Sequence, residues 1–259
     1  MFQAAVVILQ ENNFKRRRQD QLLVFYSQES PFYNPLDVVE NGYFNLSLGY
    51  RHDTAGTSPY GYVVKLADES KPIGEVIDMT LIKGKTKPVV WFVSHCETHS
   101  RRELIVDELK KHIPVDIVGT CGGNRKCTHN AKCENMLDTD YFFYLAFENT
   151  ICTDYITEKA WRHGYTHNIV PIVLKRSIVE GRLPPNSFLA VDDFETIQEL
   201  AIRLRWEILR LRSPIPPEES ALIAPSMTRR HSVFGDDAST ICTGGHDDDH
   251  KPEWPLTRP

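Results

Sequence analysis

The sequence lacks the features that would carry a chain into a membrane or onto a nucleic acid. Its longest apolar run near the start, AAVVIL at residues 4–9, is far shorter than the roughly 20 residues that span a bilayer. The polar QENNFKRRRQD that follows has no small-residue cleavage site, so a buried strand is predicted rather than a signal peptide. The net charge is −5 and the basic residues are scattered, which is unlike a nucleic-acid-binding surface. A small anionic ligand remains compatible with this composition.

Cysteine is also scarce, but its placement is informative. Of the six cysteines, only Cys242 stands apart, and the other five lie in one stretch: Cys96, Cys121, Cys127, Cys133 and Cys152. Their spacing fits no common zinc pattern, so disulfides of a secretory compartment are favoured over buried thiols and over a metal site. Asn45, in the sequon NLS, is a possible glycosylation acceptor and agrees with that compartment.

Residues 87–174 alternate between short apolar runs and amphipathic stretches. The apolar runs PVVWFVS, PVDIVG, YFFYLAFE and NIVPIVL predict strands, and SRRELIVDELKKH and DYITEKAWRHG predict helices. Strands that are apolar throughout, joined by helices, are typical of a parallel sheet buried on both faces. A doubly wound α/β fold is therefore predicted.

The chain is expected to have three parts. Residues 1–66 contain the strand candidates AAVVIL, LLVFYS and YFNLSLGY and form the remnant of a first domain, and residues 67–212 form the α/β domain. Residues 213–259 hold seven of the sixteen prolines and show no hydrophobic periodicity, which predicts a disordered low-complexity tail. The HDDDH cluster in that tail is not taken as a metal site, because ligands need surrounding structure to hold their geometry.

Two arginines stand at the predicted start of the first helix. Ser100 and Glu103 have the spacing of a capping box, which places Arg101 and Arg102 in the first helical turn. Cations at a helix N-terminus oppose the macrodipole unless an anion lies beside them, so an anionic ligand is one hypothesis. The alternative is that both side chains simply bend into solvent.

A second candidate site lies at the next predicted helix. If Asp154 is the N-cap, then Tyr155, Glu158 and Lys159 fall at i, i+3 and i+4 and share one helical face. The preceding strand delivers this helix to the carboxyl edge of the sheet, where open α/β folds bind ligands. The alternative is an ordinary surface helix with an intrahelical Glu158–Lys159 ion pair.

The segment FYLAFENTICTDYITEKAWR closely resembles the signature of the α1,3-fucosyltransferase family. The resemblance continues in collinear order through SQESP, YFNLSLGYRHD, PYGY, SRRELIVDEL and LPPNSFLAVDDF, and so covers residues 4 to about 210. The cysteine-bearing GTCGGNRKCTHNAKC is more similar to the invertebrate and plant enzymes that modify the N-glycan core.

This resemblance implies a GT-B fold of two Rossmann-like domains facing a cleft, of which the N-terminal one is only partly present. It implies GDP-fucose as donor, with Arg102 on the pyrophosphate and Lys159 as a second positive charge. Asn149, Tyr155 and Glu158 would then hold ribose, phosphate or fucose.

The resemblance further implies inverting transfer of L-fucose in α1,3 linkage to a GlcNAc of a glycoprotein glycan, with Glu29 as the base. No metal or other cofactor is expected to be obligatory. The resemblance also implies a location on the lumenal side of the Golgi apparatus, with a membrane anchor that is expected in full-length members and not in the present sequence. The alternative is a truncated or degenerate paralogue that binds nucleotide sugar without transfer. A generic carbohydrate-binding module is disfavoured, because it needs no arginine and lysine aimed at a pyrophosphate.

Overall fold

The computed structural model describes residues 20–33, 42–54, 56–65, 67, 78–123 and 131–212. The predicted AAVVIL strand, the boundary at residues 66–67 and the predicted disordered tail fall wholly or partly outside these ranges and stay predictions. The strands are β1 (Val24–Ser27), β2 (Leu46–Gly49), β3 (Gly56–Thr57), β4 (Lys87–Phe92), β5 (Val115–Val118), β6 (Tyr141–Leu145), β7 (Val170–Val173) and β8 (Leu189–Ala190). The α-helices are α1 (Met79–Gly84), α2 (Arg102–Leu109), α3 (Ala131–Thr139), α4 (Arg176–Val179) and α5 (Ile197–Arg212), and a π-helix spans Lys159–Gly164.

A small parallel sheet is formed by the first three strands in the order β1-β2-β3. Val24 pairs with Leu46, and Leu48 pairs with Gly56. The strands predicted within LLVFYS and YFNLSLGY are therefore both present, and they lie side by side.

The second sheet has five parallel strands in the order β5-β4-β6-β7-β8. Val89 on β4 pairs with Val115 on one side and with Phe143 on the other. Neighbouring Val89 and Val90 point to opposite faces and are both fully buried, which explains the continuously apolar run. The predicted doubly wound α/β fold is confirmed.

Helices cover both faces of this sheet. On one face, α2 and α5 bury Ile105, Leu109, Leu200 and Leu204 against the strands, and on the other α3 buries Leu137. Full burial of one such aliphatic side chain stabilises the fold by about 1.5–3 kcal/mol. Helix α5 was not among the sequence predictions, although its buried side chains recur with helical spacing.

A buried lysine closes the amino edge of the sheet. The Lys85 side chain donates from Nζ to the carbonyl oxygens of Leu137 (2.9 Å), Tyr141 (2.7 Å) and Asn168. Lys85 is 1% exposed, and burial lowers its pKa to about 8. The ammonium group thus joins α3, β6 and the turn before β7.

No helix within the described residues is both long enough and apolar enough to cross a bilayer.

Candidate functional site

The carboxyl ends of β4 and β6 form the switch point of the second sheet. These strands are neighbours, but the chain leaves β4 toward β5 on one side and leaves β6 toward β7 on the other. The two connections diverge and open a crevice, which is where open α/β sheets bind their ligands. The residues predicted from the sequence lie in the loops around this crevice.

Arg102 lies across the switch point. It is 3% exposed, and its guanidinium donates from Nη1 to Phe147 O, just after β6, and from Nη2 to His95 O at 3.2 Å. The guanidinium also lies over the ring of Trp91, and its Nε has no hydrogen-bond partner among the described residues. Burial lowers the pKa of Arg102. Arg102 thus has one buried N–H donor that is unpaired among the described residues.

The predicted capping box is wrong. Arg101 takes a left-handed conformation (φ 53°) immediately before α2, and the helix has no side-chain cap. Ser100 Oγ instead donates to Glu148 O at 2.7 Å, and the Glu103 carboxylate accepts from Thr98 N and Oγ1. The hypothesis that both arginines bend into solvent holds for exposed Arg101 and fails for Arg102.

Lys159 is held between two carboxylates. Its Nζ lies 3.0 Å from Glu148 Oε2 and 3.1 Å from Glu158 Oε1, and it donates to Thr157 Oγ1 at 2.8 Å. Burial alone lowers the pKa of Lys159, but Glu148 and Glu158 outweigh it, so the net direction is upward. The second cation of the site is therefore present, only partly exposed (17% of its side chain) and internally neutralised.

Glu148 is the principal organiser that sequence reasoning missed. Its carboxylate accepts from Thr157 N (2.8 Å) and Thr157 Oγ1, pairs with Lys159, and contributes electrostatically to Arg102. Its backbone oxygen accepts from Ser100. A signal existed, because Glu148 lies inside the motif quoted for the family and follows a buried strand.

Asp154 is not a helix N-cap, so Tyr155, Glu158 and Lys159 do not share one helical face. Asp154 is left-handed (φ 63°), and its carboxylate accepts from His52 N and from Arg182 Nε, both at 3.0 Å. The helix begins only at Glu158–Lys159 and has π geometry. The surface-helix alternative also fails, although the Glu158–Lys159 ion pair that it assumed is present.

Tyr155 lies in the loop before the π-helix and reaches the first sheet. It is 2% exposed, and its hydroxyl donates to Glu29 Oε2 at 2.9 Å. Glu29 is exposed on the turn after β1, where Tyr60 donates its hydroxyl to Gln28 O at 3.0 Å. Two residues predicted separately, Glu29 and Tyr155, are therefore in direct contact.

Asn149 occupies the same loop, immediately after Glu148. Its carbonyl oxygen accepts from Ser100 N at 2.9 Å, and its side chain is half-buried beside Thr150. Asn149 therefore ties the loop after β6 to the loop after β4, at the crevice where it was predicted.

The disulfide prediction is confirmed for Cys96 and Cys121, whose Cα atoms are 5.4 Å apart. This bond joins the loops that follow β4 and β5, beside His95. Cys133 and Cys152 are also disulfide-bonded, and Cys127 lies outside the described residues. Within the described ranges, no three His, Cys, Asp or Glu side chains are grouped as a metal site would require.

Two parallel sheets, one with Arg102 and Lys159 at its carboxyl edge and the other contributing the Glu29 carboxylate, are the arrangement expected of a GT-B type of glycosyltransferase. Residues 82–207 match the sequence profile of glycosyltransferase family 10 (fucosyltransferase), C-terminal part. This part of the chain belongs to that family, and the family resemblance is confirmed.

Two similar proteins agree with this family assignment. The α-(1,3)-fucosyltransferase fut-1 of Caenorhabditis elegans is 48% identical over 202 residues, which cover 78% of this chain and 47% of that protein. The α-(1,3)-fucosyltransferase C of Drosophila melanogaster is 37% identical over 203 residues, with coverages of 72% and 47%. The chain thus spans about half the length of these relatives.

A solved structure shares the fold. A crystal structure of an α1,3-fucosyltransferase with GDP-fucose superimposes with a TM-score of 0.51 at 22% identity, covering 80% of this chain and 66% of that one. The predicted GT-B class is confirmed for the part of the chain that is covered.

Proposed function

We propose that the protein transfers L-fucose from GDP-fucose, in α1,3 linkage, to a GlcNAc residue of a glycoprotein glycan. The observation that carries this proposal is that Arg102 and Lys159 both interact with Glu148 at the switch point of a family 10 domain, where Tyr155 also bonds Glu29. The names of the related enzymes supply the transferred sugar and the linkage.

The pyrophosphate of the donor has two partners in this site. Arg102 offers a buried Nε–H that has no partner among the described residues. Lys159 is already neutralised, so a phosphate oxygen replaces one of its two carboxylates. Glu158 is the one displaced, because its side chain is 45% exposed whereas that of Glu148 is 12% exposed. Once released, Glu158 and neighbouring Asn149 are free to accept hydrogen bonds from sugar hydroxyls.

Transfer is a single inverting displacement. The acceptor hydroxyl oxygen bonds to the anomeric carbon, the bond from that carbon to GDP breaks, and the hydroxyl proton passes to Glu29. Arg102 and Lys159 stabilise the charge that develops on the departing GDP. Because two side-chain cations take this role, we expect no obligatory metal, and transfer should persist in EDTA.

We infer that the protein works in the lumen of the secretory pathway, with the Golgi apparatus as its compartment. The Cys96–Cys121 disulfide requires an oxidising environment, and the sequon residue Asn45 is exposed. Glycan acceptors are available in the same compartment.

The test combines calorimetry of GDP-fucose binding with GDP release in the presence of N-glycan acceptors. We expect Glu29→Gln to retain binding and to lose transfer by at least about 100-fold, the usual contribution of a general base. Lys159→Ala should weaken GDP-fucose binding by at least about tenfold, because it removes one of the two pyrophosphate cations. Lys111→Ala is the matched control, since it removes an exposed cation at the far end of α2.

The outcomes separate the hypotheses. Binding and release by the parent chain support the enzyme, and binding without release supports a paralogue that retains only the donor site. If Glu29→Gln or Lys159→Ala behaves like Lys111→Ala, the assigned role of that residue is wrong.

A further inference from the structure

Two exposed aromatic side chains lie next to Glu29 in the chain. A short 3-10 helix, Pro31–Tyr33, begins two residues after Glu29, and Tyr33 N donates to Ser30 O at 3.0 Å. Phe32 and Tyr33 are each 37% exposed, although large apolar side chains are usually buried in folded proteins. Two adjacent exposed rings beside a group that acts on substrate indicate an interaction surface.

Each of these rings is supported by a histidine from the loop between β4 and α2. The ring of Phe32 stacks on the ring of His99, with 3.7 Å between centroids and 29° between planes. The rings of Tyr33 and His95 are arranged edge to face at 5.2 Å. A ring that is stacked on one face can offer only its other face to a ligand. The short helix therefore presents a flat apolar surface in a fixed orientation.

The supporting histidines belong to the loop that holds the donor-side cation. The carbonyl oxygen of His95 accepts from Arg102 Nη2 at 3.2 Å. Ser100, which follows His99 directly, donates from its backbone N to Asn149 O at 2.9 Å. The two exposed rings are thus attached to the loops that border the crevice at the switch point, on the side where Glu29 lies.

The hydroxyl of Tyr33 is within electrostatic range of both the base and the pyrophosphate cation. Burial raises its pKa most, and the backbone of His99 and the charge of Arg102 lower it. Glu103 and Glu29 raise it further, so the net direction is upward. The phenol therefore stays protonated at neutral pH and can both donate and accept a hydrogen bond.

A sugar ring of the gluco configuration has the shape that this surface fits. All ring substituents of a β-linked GlcNAc are equatorial, so both faces of the ring carry only C–H groups. Such a face packs on an aromatic ring, whereas the polar groups at the ring edge need a few placed hydrogen-bond partners. Stacking by the face therefore leaves the equatorial hydroxyl that receives fucose at the edge, where a carboxylate can reach it.

We propose that Phe32 and Tyr33 form an acceptor platform, on which the GlcNAc that receives fucose stacks its C–H face against Phe32 while the Tyr33 hydroxyl bonds a polar group at the sugar edge. This inference rests on the proposed function, because it names the part of the acceptor that is held. The hydroxyl oxygen then bonds to the anomeric carbon, the bond to GDP breaks and the proton passes to Glu29. One short segment thus supplies both the base and the acceptor surface.

The test replaces Phe32 by leucine, which keeps an apolar side chain and removes the flat ring. With an N-glycan linked to asparagine alone as acceptor, we expect KM to rise by about tenfold. Because the ring binds ground state and transition state alike, kcat should change by less than about twofold. Phe32→Tyr keeps the ring and should retain the parent KM within about twofold. Tyr33→Phe removes one hydrogen bond and should raise KM by about fivefold.

Leu209→Ala is the matched control. It also removes an exposed apolar side chain, since Leu209 is 67% exposed, but it lies on α5, one turn before Arg212. Arg212 donates to Lys85 O at the amino edge of the sheet, opposite the crevice. The KM of this variant for the acceptor should equal that of the parent. In all of these variants the Kd for GDP-fucose, measured by calorimetry, should stay within about twofold of the parent value.

A second comparison identifies the occupant of the platform. The same glycan is offered on asparagine alone and on a longer peptide, to the parent and to Phe32→Leu. If the sugar ring is the occupant, the rise in KM is the same for both acceptors. A rise that is seen only with the longer peptide would make peptide the occupant and overturn the inference.

Other results would also overturn it. These are an unchanged KM in Phe32→Leu, a Phe32→Tyr variant that loses as much as Phe32→Leu, and a weakened Kd for GDP-fucose with KM unchanged. If circular dichroism shows that Phe32→Leu does not fold, Tyr33→Phe decides, and an unchanged KM there refutes the platform. A parent chain that neither binds GDP-fucose nor transfers fucose overturns the proposed function itself, and is recognised before any variant is compared.

Discussion

Glu148 and Glu158 offer a matched pair of substitutions, because both carboxylates bind the same ammonium group of Lys159. The distances are almost equal, at 3.0 and 3.1 Å, but the surroundings differ. Glu148 is 12% exposed and accepts two further hydrogen bonds from Thr157, whereas Glu158 is 45% exposed. The same substitution of glutamate by glutamine should therefore cost more stability at Glu148 than at Glu158.

The expected magnitudes follow from the number of charge-assisted contacts. Glu148→Gln keeps the shape but removes the charge from a buried ion pair, and should lower the free energy of unfolding by about 2–3 kcal/mol. Glu158→Gln removes a half-exposed partner and should cost less than about 1 kcal/mol. For a protein of this size, the first change lowers Tm by about 5–10 °C.

The assay is thermal and urea unfolding of the parent and both variants at pH 7, followed by circular dichroism. Raising the salt concentration should reduce the small effect of Glu158→Gln further and leave that of Glu148→Gln nearly unchanged, because buried pairs are screened less. Equal losses for the two variants, or a larger loss for Glu158→Gln, would refute the view that Glu148 organises this site.

Three further predictions concern stability. Lys85→Met leaves three carbonyl oxygens without their donor and should lower the free energy of unfolding in urea by about 3 kcal/mol. Lys87→Met, at a half-exposed lysine, should lower it by less than about 1 kcal/mol. Equal losses for the two variants would contradict this prediction. Burial raises the pKa of Asp192 to about 6, so the folded state binds the proton more tightly and stability falls as pH rises from about 4 to 6. Asp192→Asn should accordingly be more stable than the parent by about 2 kcal/mol in unfolding experiments at pH 7.5, with no difference at pH 3.5; a constant difference would count against it. Replacing Cys96 and Cys121 by serine opens a loop with a sequence separation of 25 and should lower the free energy of unfolding by about 3 kcal/mol; an unchanged free energy of unfolding would contradict this.

Much of the fold was predictable because its signals are local. Each strand of the second sheet is an apolar run that is buried on both faces, as Val89 and Val90 show, and burial on two faces leaves a continuous pattern in the sequence. The presence of Lys159 at the carboxyl edge followed from the same pattern, since residues just after parallel strands gather at one edge. Asn149 was assigned to the site only through the family resemblance.

The helix starts were predicted wrongly, and the reason is tertiary. Ser100 and Asp154 both have the side chains of good N-caps, but each is used elsewhere: Ser100 bonds Glu148 O, and Asp154 bonds His52 N and Arg182. A capping pattern describes only what a side chain can do within one turn. It contains no information about a competing partner that is distant in the sequence.

The sequence by itself therefore determined the parallel α/β architecture, the family, and Arg102 and Lys159 as the two cations at the crevice, but it did not reveal Glu148. Only the tertiary structure decided which of those groups already have hydrogen-bond or ion-pair partners. It paired Lys159 with Glu148, left Arg102 with one buried Nε–H, and joined Tyr155 to Glu29 across 126 residues. The local sequence pattern determines which residues lie at the carboxyl edge of the sheet, because side-chain directions in strands and helices repeat every few residues. The contacts between these side chains depend on how the two sheets pack against each other, and this packing leaves no pattern in the sequence of either segment alone.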